Sequence, residues 1–525
     1  MGKKSPSSTK GKNRKDPAPV SGKNSAETGK ECKRIFWCTS ECTPYAKSGG
    51  LADVSASLPA ALAERGHEIT IIMPYYNWKM NKLSLHYNGG MFTLEVPFAE
   101  EKFYCRVRKL ELEKNLTYCF IEYDRFFDRP ALYDYQGNEF EDNAERFIFF
   151  SRACMELIRY LGKKADILHL NDWHTALCAA YLKSPLYRNE EVFKECKSIL
   201  TLHNVGYQGN FSKEKFAYTG LPWEFFRYDA LEYYDRMNFL KGGIALAHEV
   251  NTVSPTYAKE ILSAEYGCGL ESTLQYCNQC GRLRGILNGI DVKEWDPAND
   301  KALPVSYSAE NMAGKEKAKE ALAKYFHISC KGKKGRKLPL FGVISRLAAQ
   351  KGLDVFADVL EELLPVMEAR FILIGAGDPH LEWRYCSLAE RFPEKFACYI
   401  GMAEEKLAHL LEAGCDFFVM PSRYEPCGLN QMYSMRYGTL PIVRSTGGLA
   451  DTVKNYDKND PSASTGFVFY DLTIQGLRDT VIWAEKTYSD SFEDILQMRK
   501  TAMNTDFSWD HTAQQYEEMY SDAYK

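Results

Sequence analysis

Short apolar runs punctuate the first half of the chain. Residues 34–40 read RIFWCTS and residues 68–76 read EITIIMPYY, and both predict buried strands. Between them, 55–65 (SASLPAALAER) has helical character, and Gly66 stands where a helix C-cap would. Strand, helix and strand in this order predict a β-α-β unit with parallel strands. Further strands are predicted at 166–170 (DILHL), 198–203 (SILTLH) and 249–253 (EVNTV), with helical segments between. A second α/β rhythm starts late. Strands are predicted at 338–345 (LPLFGVIS), 370–374 (RFILI), 417–420 (FFVM) and 440–443 (LPIV). An amphipathic helix is predicted over 353–367 and a closing helix over 512–520. The stretch 297–313 is polar and turn-rich, and 331–337 (KGKKGRK) is basic. The domain boundary therefore falls near residue 300. The predicted class is α/β, with two doubly wound domains that hold ligand between the carboxyl ends of their strands.

Composition narrows the picture. The chain has 525 residues, 45% hydrophobic and 26% charged, which leaves apolar sequence for two cores and excludes disordered, collagen-like and coiled-coil classes. No run of 18 apolar residues exists, so no membrane-spanning helix is expected. The net charge of −4 gives no bulk attraction to nucleic acid or anionic lipid. The 16 cysteines are scattered, and several sit in apolar stretches, such as Cys178 in ALCAAYL and Cys398 in FACYI. That pattern fits reduced, buried thiols in a reducing compartment. The one C-x-x-C, Cys277 with Cys280, lacks a second close pair to complete a zinc site, so structural or incidental thiols are expected there. Residues 1–31 carry eight Lys/Arg and three Asp/Glu with almost nothing apolar, and read as a disordered, solvated basic tail. They lack the apolar segment of a secretory signal and the amphipathic pattern of a transit peptide. The rest of the chain carries −9.

Candidate chemistry lies where the predicted strands end. Lys47-Ser48-Gly49-Gly50-Leu51-Ala52-Asp53 follows the first strand. Two glycines ahead of a helix admit phosphate to backbone N–H groups, and Lys47 adds a point charge. Arg346 and Lys351 follow the strand at 338–345, where a fork and a point charge suit a diphosphate, although two solvated loop residues would read the same way. Gly375 and Gly377 invite a dinucleotide reading, but His380 stands where the third glycine belongs, so an NAD domain is disfavoured. Glu425, in Pro-Ser-Arg-Tyr-Glu-Pro-Cys-Gly, can accept hydrogen bonds from sugar hydroxyls. Gly447-Gly448-Leu449-Ala450-Asp451, after Thr446, repeats the five residues 49–53 and suggests a second glycine-rich wall. His203-Asn204 and Asp172-Trp173-His174 also follow strands. H-E-x-x-H is absent, so no metal ligands are assigned to them; His203 at a strand end can donate to a hydroxyl or phosphate, although a lone histidine reads first as a satisfied structural one.

Taken together these motifs are far more specific than any one of them. From about residue 34 to 520 the chain resembles the bacterial glycogen synthases and plant starch synthases of glycosyltransferase family 5. The resemblance rests on ECTPYAKSGGLADV, NDWHTAL, TLHNVGYQG, GILNGID followed by Trp295-Asp296-Pro297, ISRLAAQKGLD, PSRYEPCGLNQMYSMRYGTLPIV and RSTGGLADTV. It implies a GT-B fold: a Rossmann-like acceptor-side domain over 32–300, a Rossmann-like nucleotide-sugar domain over 301–505, and a helix over 506–525 crossing back to the first. It implies retaining transfer of glucose from ADP-glucose to the non-reducing 4-OH of an α-1,4-glucan. Lys47, Gly49, Gly50, Arg346 and Lys351 then match the residues around the donor diphosphate. His203 with Asn204, and Glu425 with Cys427 and Gly428, match sugar-contacting positions. Asp53 and Asp172 match acidic positions of the cleft, and Thr446, Gly447 and Gly448 a loop near the diphosphate and glucose. Where many bacterial members carry an aromatic residue that stacks on adenine, Met402 stands here, and a thioether packs on a π face more weakly and less selectively.

The expected partners are ADP-glucose and a glycogen-like glucan, with no nucleic acid and no membrane. No cofactor or metal is expected, because the basic residues neutralise the diphosphate. Cytoplasm is the expected location ahead of a plastid. A non-catalytic glucan-binding protein on the same fold is disfavoured because Arg346, Lys351 and Glu425 are all present.

Overall fold

The computed structural model describes residues 32–525 apart from 114, 136 and 403. Two sheets organise it. The first has nine strands in the order Leu283–Gly285, Glu249–Thr252, Lys197–Leu202, Ile167–Asn171, Arg34–Cys38, Glu68–Pro74, Leu116–Glu122, Glu101–Glu113 and Met91–Phe98. The run from Leu283–Gly285 to Leu116–Glu122 is parallel. The last two strands form an antiparallel flank. The second sheet is parallel throughout, in the order Phe396–Ile400, Arg370–Gly375, Leu340–Ile344, Phe417–Met420, Leu440–Arg444 and Phe467–Phe469.

Each sheet has a point where the strand order reverses. Arg34–Cys38 lies between Glu68–Pro74 and Ile167–Asn171, and Leu340–Ile344 lies between Arg370–Gly375 and Phe417–Met420. Loops leaving adjacent strands at such a point diverge to opposite faces and open a crevice at the carboxyl ends. Glu41 and Lys47 follow Arg34–Cys38, Asp172 follows Ile167–Asn171, Arg346 and Lys351 follow Leu340–Ile344, and Glu425 follows Phe417–Met420.

The strands predicted from apolar runs are present, each end within two residues of its predicted place. The helix predicted over 55–65 starts earlier, as Gly50–Glu64, so the Gly-Gly turn is its N-terminus. The antiparallel flank was not predicted. Met91–Phe98 buries only Leu94, Val96 and Phe98, an alternation with no continuous apolar run to mark it. Leu116–Glu122, Leu283–Gly285, Phe396–Ile400 and Phe467–Phe469 were not predicted either; the last has only three residues, and Phe396–Ile400 is only partly buried.

Each sheet packs its own apolar core. Trp37, Phe36 and Phe120 belong to the first, and Phe341, Phe371 and Phe417 to the second. Helix Trp509–Asp522 adds Tyr516, Met519 and Tyr520 to the first core. It is tied there by Arg65, which grips Glu517 through two bonds of 2.9 and 2.8 Å, and by Tyr520, whose hydroxyl lies 2.8 Å from His169 Nδ1. Under the second sheet, Asp416 Oδ2 accepts from Lys319 Nζ at 2.6 Å and Oδ1 from Arg499 Nη2 at 2.6 Å, all three groups buried. Such a network holds the strand it precedes in register, because losing one partner strands a buried charge at a cost of about 3–5 kcal/mol. Among the described residues no helix is long and apolar enough to cross a membrane.

Candidate active site

The two crevices face one cavity of about 1750 Å³. This exceeds the ~300–1,000 Å³ of an ordinary small-molecule pocket and leaves room for a second substrate. Lys47, Gly49, Gly50, Asp53, Asp172, His203 and Asn204 line one wall, and Arg346, Lys351, Met402, Glu425, Cys427 and Gly428 the other.

On the first wall Lys47 Nζ donates to Asp53 Oδ1 at 2.7 Å, and Thr43 Oγ1 donates to the same oxygen at 3.1 Å. Beneath them sits Glu41, buried, which the sequence reading did not single out. Its carboxylate accepts from the Ser48 amide, from Ser48 Oγ at 2.6 Å, from the Gly49 amide at 3.3 Å and from Tyr133 Oη at 2.7 Å. Burial raises its pKa, and these donors oppose the rise. The amides of Ser48 and Gly49, expected to be open to a phosphate, are therefore already engaged. A buried carboxylate takes whatever donors its own turn supplies.

Asp172 occupies a left-handed backbone conformation, φ 55°, at the start of helix Trp173–Lys183. Its Oδ1 accepts the His203 amide at 2.7 Å. Burial raises its pKa to about 7. His203 Nε2 lies 3.0 Å from Asn171 Oδ1, while Asn171 Nδ2 donates to the Cys38 carbonyl at 2.9 Å. The histidine proton is thus on Nε2 and is spent. Burial lowers the His203 pKa to about 3, so the ring is neutral and Nδ1 can only accept. This corrects the expectation that His203 donates.

On the second wall Lys351 Nζ donates to Glu425 Oε2 at 2.5 Å, and Ser422 Oγ donates to the same oxygen at 2.9 Å. Both bonds fall on Oε2, which leaves Oε1 for a substrate hydroxyl. Arg346 is exposed, and its guanidinium makes no hydrogen bond among the described residues. Cys427 is buried and its thiol is pushed up to about 12, so it packs rather than attacks. Met402 is 91% exposed. Asn204 Oδ1 accepts the Gly206 amide at 2.9 Å, which shapes its own turn.

Thr446, Gly447 and Gly448 do not line the cavity, and their turn packs directly on the Glu425 loop. The Gly447 amide donates to both oxygens of Glu260, at 3.0 and 3.1 Å, and Thr446 Oγ1 donates at 3.0 Å. A Cβ on Gly447 would lie 2.0 Å from the Glu425 carbonyl oxygen, and one on Gly448 2.1 Å from that of Cys427. The second glycine turn is packed against the backbone of the Glu425 loop and supports it. Glu260 had no sequence signal beyond being a single acidic residue, and Glu41 opens the motif ECTPYAKSGGLADV without being assigned a role there. Only the short spacing of Glu41 from Ser48 could have raised it.

Two family models match the chain: starch synthase catalytic domain over residues 34–276 and glycosyl transferases group 1 over 328–502. A glycogen synthase of Koribacter versatilis (strain Ellin345) is 40% identical over 490 residues, which cover 93% of this chain and 98% of that protein. A glycogen synthase of Anaeromyxobacter sp. (strain Fw109-5) is 41% identical over 495 residues, with 93% and 98% covered. The chain belongs to the glycogen and starch synthase family. It is a glycosyltransferase with the GT-B fold. The catalytic domain of starch synthase IV from Arabidopsis thaliana, a structure bound to ADP and acarbose, superposes with a TM-score of 0.85 at 34% identity, covering 94% of this chain and 100% of that one. A sucrose-phosphate synthase from Thermosynechococcus elongatus, at TM-score 0.58 and 15% identity, shares the fold alone.

Proposed function

We propose that this chain transfers glucose from ADP-glucose to the non-reducing 4-OH of an α-1,4-glucan, with retention of configuration, and so elongates glycogen. One observation carries the reading: cations stand on both walls of a single cleft, Lys47 on one and Arg346 with Lys351 on the other. As the glucosyl–phosphate bond loosens, negative charge grows on the leaving diphosphate. Fixed cations in a water-poor cleft stabilise that charge better than solvent, which must reorganise. The diphosphate needs no metal in this reading, since these side chains supply the charge.

Glu425 Oε1 and His203 Nδ1 are acceptors suited to glucose hydroxyls, and they act by fixing orientation. Glu425 is paired with Lys351, which draws charge from the carboxylate and weakens it as a nucleophile, and Asp172 is bonded to the His203 amide. This favours front-face attack over a covalent glucosyl intermediate. The acceptor 4-OH adds to the anomeric carbon on the side from which the diphosphate leaves, and a phosphate oxygen takes the hydroxyl proton. ADP as donor nucleotide is supported by the motifs around Lys47 and Glu425 and by the ADP-bound relative. Met402 offers the base a thioether surface. The acceptor is a glycogen-like glucan, and the place of action is the cytoplasm.

The test is transfer of labelled glucose from ADP-glucose or UDP-glucose, with and without glycogen. Incorporation from ADP-glucose that depends on glycogen is expected, and glycogen-independent turnover or a preference for UDP-glucose overturns the reading. Lys351→Ala should lower kcat by about 10²–10³-fold, the scale of losing one charge-stabilising group, with the circular dichroism spectrum retained. Unchanged turnover would refute the phosphate role.

A further inference from the structure

Away from the residues assigned to the transfer, the rim of the cleft carries a second cluster. Glu405 opens helix Glu405–Gly414, and His409 lies one turn on, so both project from the same helix face. Glu294 comes from the segment that leaves the first sheet, immediately before Trp295. The carboxylate oxygens and the imidazole nitrogen of the three lie within 4.8 Å of one another. Both glutamates are exposed, and the histidine is 5% exposed.

The histidine is already oriented. Its Nδ1 lies 2.8 Å from Asp300 Oδ2, which also accepts from Tyr437 Oη at 2.6 Å. Its ring stacks at 4.1 Å on Trp295, which stacks in turn at 3.8 Å on Tyr433. With Nδ1 spent, Nε2 is the remaining ligand atom, and it is buried with no hydrogen-bond partner among the described residues. A buried nitrogen left without a partner loses its solvation and gains nothing in return, which calls for a ligand. An imidazole backed by a carboxylate is the arrangement that fixes tautomer and raises basicity at metal centres.

We propose that Glu294, Glu405 and His409 form a divalent-cation site for a first-row transition metal, clamping the 291–295 segment to the second domain at the cleft rim. The imidazole selects against magnesium and calcium, which take oxygen ligands. Three protein donors leave a position for water. Donors about 2.1 Å from a shared ion lie at most ~4.2 Å apart, so closing the site needs a small movement of the exposed glutamates while His409 stays in place.

Mn²⁺ is the probe, because its hard character keeps it off the sixteen thiols. Chelator-treated, nucleotide-free protein is titrated with Mn²⁺ and the free-ion signal is followed by electron paramagnetic resonance. One ion bound per chain is expected, with a raised melting temperature. The double variant Glu294→Gln/Glu405→Gln, both positions exposed and so harmless to folding, should bind at least about tenfold more weakly and lose the thermal shift. His409→Gln should do the same if it folds. No binding by the unmodified chain, or equal binding by the double variant, overturns the proposal.

Discussion

The sequence Gly-Gly-Leu-Ala-Asp occurs twice, at 49–53 and 447–451, and the two copies do different work. Both begin a helix, and in both a glutamate accepts backbone amides at the turn: Glu41 in the first, Glu260 in the second. The surroundings differ. A Cβ on Gly49 would meet nothing within 4 Å, and one on Gly50 only Leu429 Cδ1 at 3.5 Å. The first turn borders open cleft, with Asp53 bonded to Lys47. The second is buried under the Glu425 loop, and its Asp451 reaches across to Ser254 Oγ at 2.5 Å and Thr256 Oγ1 at 2.6 Å. Identical residues thus supply substrate access in one place and close packing in the other, because a glycine leaves room for whatever neighbour the fold brings.

Substitution should separate the two roles. The largest effect is expected from Gly448→Ala, where the new methyl group meets the Cys427 backbone. Overpacking of this kind costs about 1–3 kcal/mol and moves the Glu425 loop, so melting temperature and kcat should fall together. Gly50→Ala should leave the melting temperature unchanged and raise KM for the nucleotide-sugar. A matched fall in stability would erase the distinction. Next in size, Asp451→Asn should loosen the joint to the first domain by about 1 kcal/mol, seen in denaturant unfolding, whereas Asp53→Asn should act on turnover alone.

Acid should reveal a further asymmetry. His203, with its pKa lowered to about 3, and His248, lowered to about 4, belong to the first domain. A histidine depressed in the folded chain binds its proton more readily when unfolded. Stability is therefore complete above the unfolded value near 6.5 and is lost as pH falls from there toward 3–4. Asp172 acts in the opposite sense: raised to about 7, it favours the folded chain as pH falls from 7 toward 4. His203→Asn should flatten the acid limb of the stability curve by up to ~1.4 kcal/mol per pH unit below 6.5. An unchanged slope would show that the ring is not buried neutral.

Much of this was readable in advance, for a local reason. Buried parallel strands print as apolar runs, and catalytic loops in such sheets follow the strands, so Lys47, Arg346, Lys351 and Glu425 could be picked out one by one. The antiparallel flank escaped because a half-wet strand prints only as alternation. Glu41 lay inside the motif ECTPYAKSGGLADV, but what its carboxylate does depends on the turn folding back over it, which the motif alone does not say.

Which strand borders which helix, and what chemistry each loop carries, follows from residues near one another in the chain. Whether a given loop faces solvent, substrate or another loop does not. The Gly447 amide meets a carboxylate 187 positions away, and Lys351 meets one 74 away. Hydrogen-bond partners at that range are set by how sheets and helices pack, and packing depends on the shape of the whole core. That is why two copies of one pentapeptide read alike, yet one borders open cleft and the other is packed under a loop.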